Sequence, residues 1–464
     1  MRANLFGLGI ESEHSQITSA ALVNVYLERR PAGEKTQVVA LSTPGLRQFC
    51  DAAYPVRGWI FYERGNVVYL VAGATLYEMS AAGALTSRGT LNTSSGYVGI
   101  AHNGDMLGIV DGGTFYTYDI GTLTLDGTVT DSPANPETVA YQDGYFIVSV
   151  ADSNAFFIGE GSTWNTLDFA SAESAPDDIV AIYADQSEVV IFGGSTTEFW
   201  QDSGAVDFPY ARIPGSSNEW GLAAKQSIAK FDNSIMYLAR NRSGQVMVAQ
   251  LNGYLPKRVS THDIDRIING YTATSDAVAY SFMLSGHSMY VISFPSGDAT
   301  WLYDGTIEKW SRLESHDLNR HRSLRGLNAF EKVLVSDYST GAIYELRSDE
   351  LTDNGETIAR ELTSDHIASP DGERFAVSCL RLAMVVGEGL ASGQGSDPQM
   401  MLRVSRDGGR TWGSEIWASM GAQGEYRRQV EFRRLGQART FTFRLRVTDP
   451  VPVAIMSASI NPRD

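Results

Sequence analysis

Apolar residues in this chain fall into short runs separated by turn residues, and one unit keeps returning. It opens with a short apolar strand, passes a turn and a second apolar strand, and closes with a third strand rich in aromatics. RGWIFYERGNVVYLVAGATLYEM begins at Arg57, VGIAHNGDMLGIVDGGTFYTYD at Val98 and ETVAYQDGYFIVSVADSNAFFIG at Glu137. Four more units begin at Asp178, Lys225, Asp276 and Arg325, so successive starts lie 41, 39, 41, 47, 51 and 49 residues apart. A four-stranded propeller blade needs about 40 to 50 residues, which matches this period. Asn103-Gly104, Asp143-Gly144, Asp232-Asn233 and Ser285-Gly286 supply residues that tolerate positive φ in tight hairpins. Second strands such as YFIVSV and EVVIFG are continuously apolar, as expected of strands covered on both faces by neighbouring blades. Tyr77, Tyr116, Phe157, Trp200, Trp301 and Tyr344 recur near the third strands and are expected to wedge between blades. HDIDRIINGY, from His262, is the best candidate for a short helix, between two blades.

From about residue 350 the pattern changes. GEGLASGQGSD, from Gly387, is too polar to be buried, and MLRVSRDGGRTW and FTFRLRVTDPVPVAIMSASI then alternate with period two. In FTFRLRV the arginines share one face and the apolar residues the other. The expected fold is all-β: a propeller of six or seven blades with an additional C-terminal β-sandwich-like region. The expected domains are an N-terminal segment, 1–56; the propeller, 57–349; and a β-rich domain carrying an Asp-box hairpin, 350–464.

Composition agrees with this pattern. At 464 residues the chain is long for one ordinary core unless repeated units close into a ring. Aromatics at 10% and 45 Gly suit a turn-rich β protein. No apolar run approaches the ~20 residues needed to cross a bilayer, so no membrane insertion is expected. Glu11, Glu13 and His14 stand where a signal peptide would need apolar residues. Cys50 and Cys379 are far apart and in no metal-like spacing. The expectation is a soluble chain made in a cytoplasm, without a disulfide framework.

Charge is divided unevenly. Gly89 to Ala211 holds 18 acids and neither Lys nor Arg, whereas the remaining 36 acids and 37 bases nearly cancel. The net charge of -17 therefore lives in about a quarter of the chain. An acidic surface repels phosphate, and the block suits either solubility or a wall facing something negative that must not stick. Toward the C-terminus lie Arg427, Arg428, Arg433, Arg434, Arg439, Arg444 and Arg446.

Chemical motifs are sparse. SRDGGRTW fits the Asp-box pattern with Ser405, Asp407, Gly409, Thr411 and Trp412. In such a box Asp407 is expected to bond its own turn and Trp412 to pack beneath it, which is local stability rather than catalysis. A sialidase would also need an arginine triad and a Tyr/Glu nucleophile pair. Arg212-Ile213-Pro214 looks briefly like the arginine motif of sialidases but stands mid-chain, before the single full box. The seven histidines form no HxH, HExxH or HxxxH pair, and His316 and His321 read as a solvated loop. No residue is assigned to catalysis, a cofactor or a metal.

The chain resembles the packaged-DNA stabilisation proteins, also called tail hub or tail nozzle proteins, of short-tailed bacteriophages. The residues carrying the likeness run along most of the sequence: LVNVYLER followed by STPGLRQF, then SEVVIFGGSTTEFWQDSGA, IDRIINGYTATSDAVAYSF, GHSMYVISFP and WLYDGTIEKW, and finally RDGGRTWGSE with RRLGQARTFTFRLRVTDPVPVAI. The resemblance implies a structural, non-enzymatic virion protein of the tail, assembled in the host cytoplasm. It implies a homo-oligomeric ring, a hexamer, below the portal and a head-to-tail adaptor protein. Packaged DNA would be retained above the ring and pass through its lumen on ejection without specific binding. Tailspikes or tail fibres would attach outside, and a tail needle or plug would close the mouth. On this reading Asp111, Asp143 and Asp185 should gather on the lumen side, and Arg444 and Arg446 should be free to dock an acidic adaptor. A non-viral propeller that binds sugar or protein is the alternative, with a sialidase-like glycoside hydrolase behind it.

Overall fold

Each recurring unit folds into an antiparallel sheet of four strands or, in one case, five. In the first blade these are Val56–Tyr62, Val67–Ala72, Thr75–Ser80 and Leu85–Thr90. The computed structural model describes residues 2–3, 20–30, 38–205, 208–369 and 371–462. The sheets that follow give seven blades, and neighbouring innermost strands touch in order around the ring, the seventh meeting the first. The expected propeller is present, and the count resolves to seven. The Asp143-Gly144 and Ser285-Gly286 hairpins both take positive φ at each position, as the turn chemistry requires.

The seventh blade is completed from the other end of the chain. Ser323–Ala329, Lys332–Asp337 and Ala342–Arg347 supply three strands, and Gly45–Asp51 pairs antiparallel with the last as the fourth. Gly45 is required there because a Cβ would overlap the Glu350 and Thr352 carbonyls.

Packing follows the ring. Seven buried clusters each join two adjacent blades, and an eighth fills the sandwich. The six aromatics expected to wedge between blades do so: Tyr116, Trp200, Trp301 and Tyr344 lie within such clusters, and Tyr77 and Phe157 pack against two others. The helix forms over His262–Asn269. The Thr261 hydroxyl accepts from the Ile264 N–H at 3.3 Å, and Ile264 and Ile268 are buried in the core between the fifth and sixth blades.

The sandwich packs two sheets. One orders Val25–Arg29, Val38–Ser42, Ala454–Ile460, Phe375–Met384 and Val430–Ala438. The other orders Ala21–Val23, Arg360–Thr363, Thr440–Val447, Gln399–Ser405 and Ile416–Ser419. Strands near the N-terminus thus enter both domains: Leu22, Val25, Leu27 and Ala40 lie in the sandwich core, while Leu46 is buried in the propeller. The second sheet is continuous with the sixth blade, because Val23 pairs in parallel with Arg312 on that blade's outer strand. Phe441, Phe443, Leu445 and Val447 face the core, with Arg444 half-buried and Arg446 exposed between them, as the alternation of FTFRLRV requires.

Candidate functional site

The acidic excess sits on blades away from the sandwich, and the sandwich carries a local cluster of arginines. The base-free stretch forms most of the second, third and fourth blades. The sandwich is stitched to the sixth blade, and counting around seven places puts the second and third blades farthest from it. Between Tyr426 and Val447 the sandwich carries seven arginines against the single acid Glu431. Arg427, Arg428, Arg434 and Arg439 are exposed, while Arg433 bonds Glu431 at 2.8 Å.

Asp111, Asp143 and Asp185 do not share a face. Asp143 occupies the turn after an innermost strand and Asp185 ends another, whereas Asp111 caps the opposite end of its blade, after the second strand. Asp111 is also buried and spoken for. It accepts from the Gly113 and Thr114 N–H groups, the Thr93 hydroxyl and the Tyr116 hydroxyl at 2.8 to 3.1 Å. Burial alone would raise its pKa, but these donors outweigh that and hold the carboxyl below the usual range. Asp337 does the same job in the seventh blade, with Ser339, Thr340 and Tyr344 as donors. These are turn-capping acids, so Asp111 leaves the proposed DNA-facing set.

The expectation that both Arg444 and Arg446 are free is corrected for Arg444. Both line a cavity of about 530 Å³ between the sixth blade and the sandwich, together with Arg312, Glu314, Glu361 and Trp301. Arg444 donates to the Glu361 carboxylate at 3.1 Å and to the Thr363 hydroxyl at 3.2 Å. Its guanidinium lies 4.2 Å from the centre of the Trp412 ring. The strand order brings acids of the propeller edge and of Arg360–Thr363 beside these arginines, which turns Arg444 inward while Arg446 stays exposed at the cavity rim.

Four of the five Asp-box residues meet as one turn. Ser405 Oγ donates to Asp407 Oδ1 at 2.7 Å and accepts from the Gly409 N–H at 2.9 Å. The Thr411 N–H and hydroxyl bond the two Asp407 oxygens at 2.9 and 2.5 Å. Desolvation pushes the Asp407 carboxyl up, but the Thr411 and Ser405 hydrogen bonds prevail and hold it at about 2. Trp412 finds a different partner from the one expected: it is half-buried against Arg444 on the adjoining strand. Arg212 lies on the propeller, 3.7 Å from Glu198, and is not brought to the box. His321 is buried against Ser323, while His316 is exposed beside Asp317 and Glu356. Cys50 belongs to the propeller and Cys379 to the sandwich. No helix among the described residues is long and apolar enough to cross a membrane.

Residues 4–351 match the family model described as bacteriophage P22 Gp10, beta-propeller, and residues 360–463 match bacteriophage P22 Gp10, beta-sandwich. The chain belongs to the bacteriophage P22 Gp10 family. The likeness to tail hub proteins and the propeller-plus-sandwich fold read from the repeats are both borne out. Among curated proteins, the tail hub protein gp10 of Salmonella phage P22 is 24% identical over 448 residues, covering 90% of each chain. Solved structures share less. The WD40 propeller domain of Doa1 is 10% identical at a TM-score of 0.41, covering 65% of this chain and 96% of its own. The computationally designed Ika8 protein is 16% identical at a TM-score of 0.40, covering 74% and 99%.

Sequence reasoning missed the centre of the propeller. Lys225, Gln226 and Arg325 meet Tyr97 there, on segments from different blades whose spacing carries no recognisable motif. The only signal in the sequence was cationic residues at the starts of two otherwise apolar innermost segments.

Proposed function

We propose that this chain is a structural component of a phage tail hub. The match to the P22 tail hub protein carries this reading, since it runs through propeller and sandwich in one register of domains over 90% of both chains. The finer reading is a ring of copies, six in number, beneath a portal and its adaptor. Its lumen retains packaged DNA and conducts it on ejection. Tailspikes or fibres attach outside, and a needle or plug closes the end.

The charge partition supports the finer reading. If the acidic blades face the axis, they repel a DNA backbone and let it slide, and the arginine strands opposite are directed away from the axis, toward an acidic protein partner. The exposed Arg427, Arg428 and Arg434 are better docking candidates than Arg444, which is held by Glu361 and Thr363.

Electron microscopy of the purified chain mixed with portal–adaptor particles tests this. The expected image is a ring capping the adaptor. Arg427→Glu, Arg428→Glu and Arg434→Glu together should abolish docking while leaving the circular dichroism spectrum unchanged. Particles that never acquire a ring at low or moderate salt would overturn the hub reading. A ring that docks normally with all three charges reversed would overturn only the role of the arginines.

A further inference from the structure

The innermost strands of the propeller line an open central cavity of about 270 Å³, and a second open one of about 410 Å³ is lined by the loops that precede them. Tyr97, Gln226, Val278 and Arg325 line both, so Arg325 stands where the two meet. Its guanidinium donates to the Val56 carbonyl at 3.1 Å and to Gln226 Oε1. Both acceptors are neutral. Among the described residues no carboxylate lies within ion-pair distance of Arg325, and the other cation of the cavity, Lys225, is already paired with Glu137.

Arg57, close by, shows what a satisfied guanidinium looks like in this fold. It is buried and directs five hydrogen bonds at Gly73, Thr93, Ser95 and Gly96, with Asp111 behind Thr93 as countercharge. An arginine has five N–H donors. Arg325 commits two of them, and the rest face a cavity. Arg325 is only half-buried, so its uncommitted N–H groups are reachable from the cavity and carry no protein countercharge. Burial depresses the Arg325 pKa to about 10, and Tyr97 only partly offsets this, so the group stays charged at neutral pH.

We propose that the propeller centre holds a small oxyanion, of phosphate or sulfate size, against the free edge of Arg325. A guanidinium fork matches two oxygens of a tetrahedral or planar oxyanion, which favours this class over a halide. Tyr97 stands beside the fork, while Lys225, 5.9 Å from the Tyr97 ring centre, is neutralised by Glu137, which leaves Arg325 as the cation offered to the anion. The anion would act as a structural bolt, tying the innermost strand of the seventh blade to the first, second and fifth-to-sixth segments that line the cavity. This assignment does not depend on the tail reading.

Thermal unfolding of the full chain tests it, with inorganic phosphate or sulfate titrated at constant ionic strength against chloride. A saturable rise in the midpoint of about 2 °C or more is expected. Arg325→Met should lose that increment. Gln226→Glu should also lose it, and should melt above the parent in phosphate-free buffer, because the new carboxylate supplies the missing charge next to Arg325. If Arg325→Met does not fold, Gln226→Glu decides alone. No saturable increment in the parent, an increment that merely follows ionic strength, or one that persists in Gln226→Glu would each overturn the site.

Discussion

The Asn24 side-chain amide holds Glu314, 290 residues away, by both of its backbone polar groups. Asn24 Oδ1 accepts from the Glu314 N–H at 3.0 Å, and Asn24 Nδ2 donates to the Glu314 carbonyl at 2.9 Å. The same amide donates to the Ala359 carbonyl at 2.9 Å, while the Asn24 N–H bonds the Arg312 carbonyl at 2.9 Å. One buried residue thus clamps the N-terminal strands, the outer edge of the sixth blade and the first strand of the sandwich. Its φ of 53° lies in the left-handed region, which Asn tolerates better than most residues.

Asn24→Ala should therefore destabilise the chain by about 3 to 5 kcal/mol, through three lost hydrogen bonds, stranded backbone groups and a left-handed alanine. Asn24→Asp keeps the acceptor toward the Glu314 N–H and loses the two donations, so it should cost less than alanine at neutral pH only if its new charge is hydrated. Chemical denaturation of both variants, read by tryptophan fluorescence, checks the size and the order. A loss below about 1 kcal/mol for Asn24→Ala would show that the clamp is dispensable.

Closure of the ring rests on Leu46 and its strand. Leu46 is fully buried, pairs with Leu346 and accepts from the Asn354 N–H at 2.7 Å. Leu46→Ala should cost about 2 to 5 kcal/mol as a core truncation. Removing residues 1–51 should do more, since it bares the edge of Ala342–Arg347 and invites strand pairing between molecules. Size-exclusion chromatography should find the shortened chain aggregated; a monodisperse product would contradict the closure.

One buried and one half-buried imidazole, His321 and His102, set a pH response. Desolvation lowers the pKa of His102, with Glu63 opposing, and of His321, with Asp353 opposing. For a histidine depressed in the folded state, the unfolded chain takes up the proton first as pH falls. Stability is then full above the unfolded value of about 6.5 and declines below it. The denaturation midpoint should fall between pH 7.5 and 5.5. Replacing both residues by Gln should flatten that window, and an unchanged slope would remove the explanation.

The Asp box should prove local. Asp407 has a depressed pKa, so its contribution is present above about pH 4 and is lost as pH falls toward 2. Because the residue is exposed to solvent, Asp407→Ala should change global stability by less than about 1 kcal/mol. Hydrogen exchange at Gly409 and Thr411, whose N–H groups bond Ser405 and Asp407, should nevertheless accelerate. Global unfolding in this variant would show that the turn supports the sandwich itself.

By itself the sequence determined the elements and their repetition. Hairpin turns such as Asp143-Gly144, buried second strands such as Glu188–Gly193 and the alternation through Thr440–Val447 all depend on neighbours a few residues away. Such interactions leave a local pattern, which is why seven units, a short helix and a half-exposed C-terminal sheet were legible. Only the tertiary structure decided that Gly45–Asp51 closes the last blade and that Ala21–Val23 stitches the sandwich to the sixth. Backbone ladders use the same groups in every strand, so a strand carries no address for its distant partner. Only tertiary structure, likewise, set Asp111 apart from Asp143, turned Arg444 toward Glu361, and brought Arg325 beside Gln226 without a carboxylate. Those relationships arise from where the ring places separate blades, and burial then decides what each charge can do.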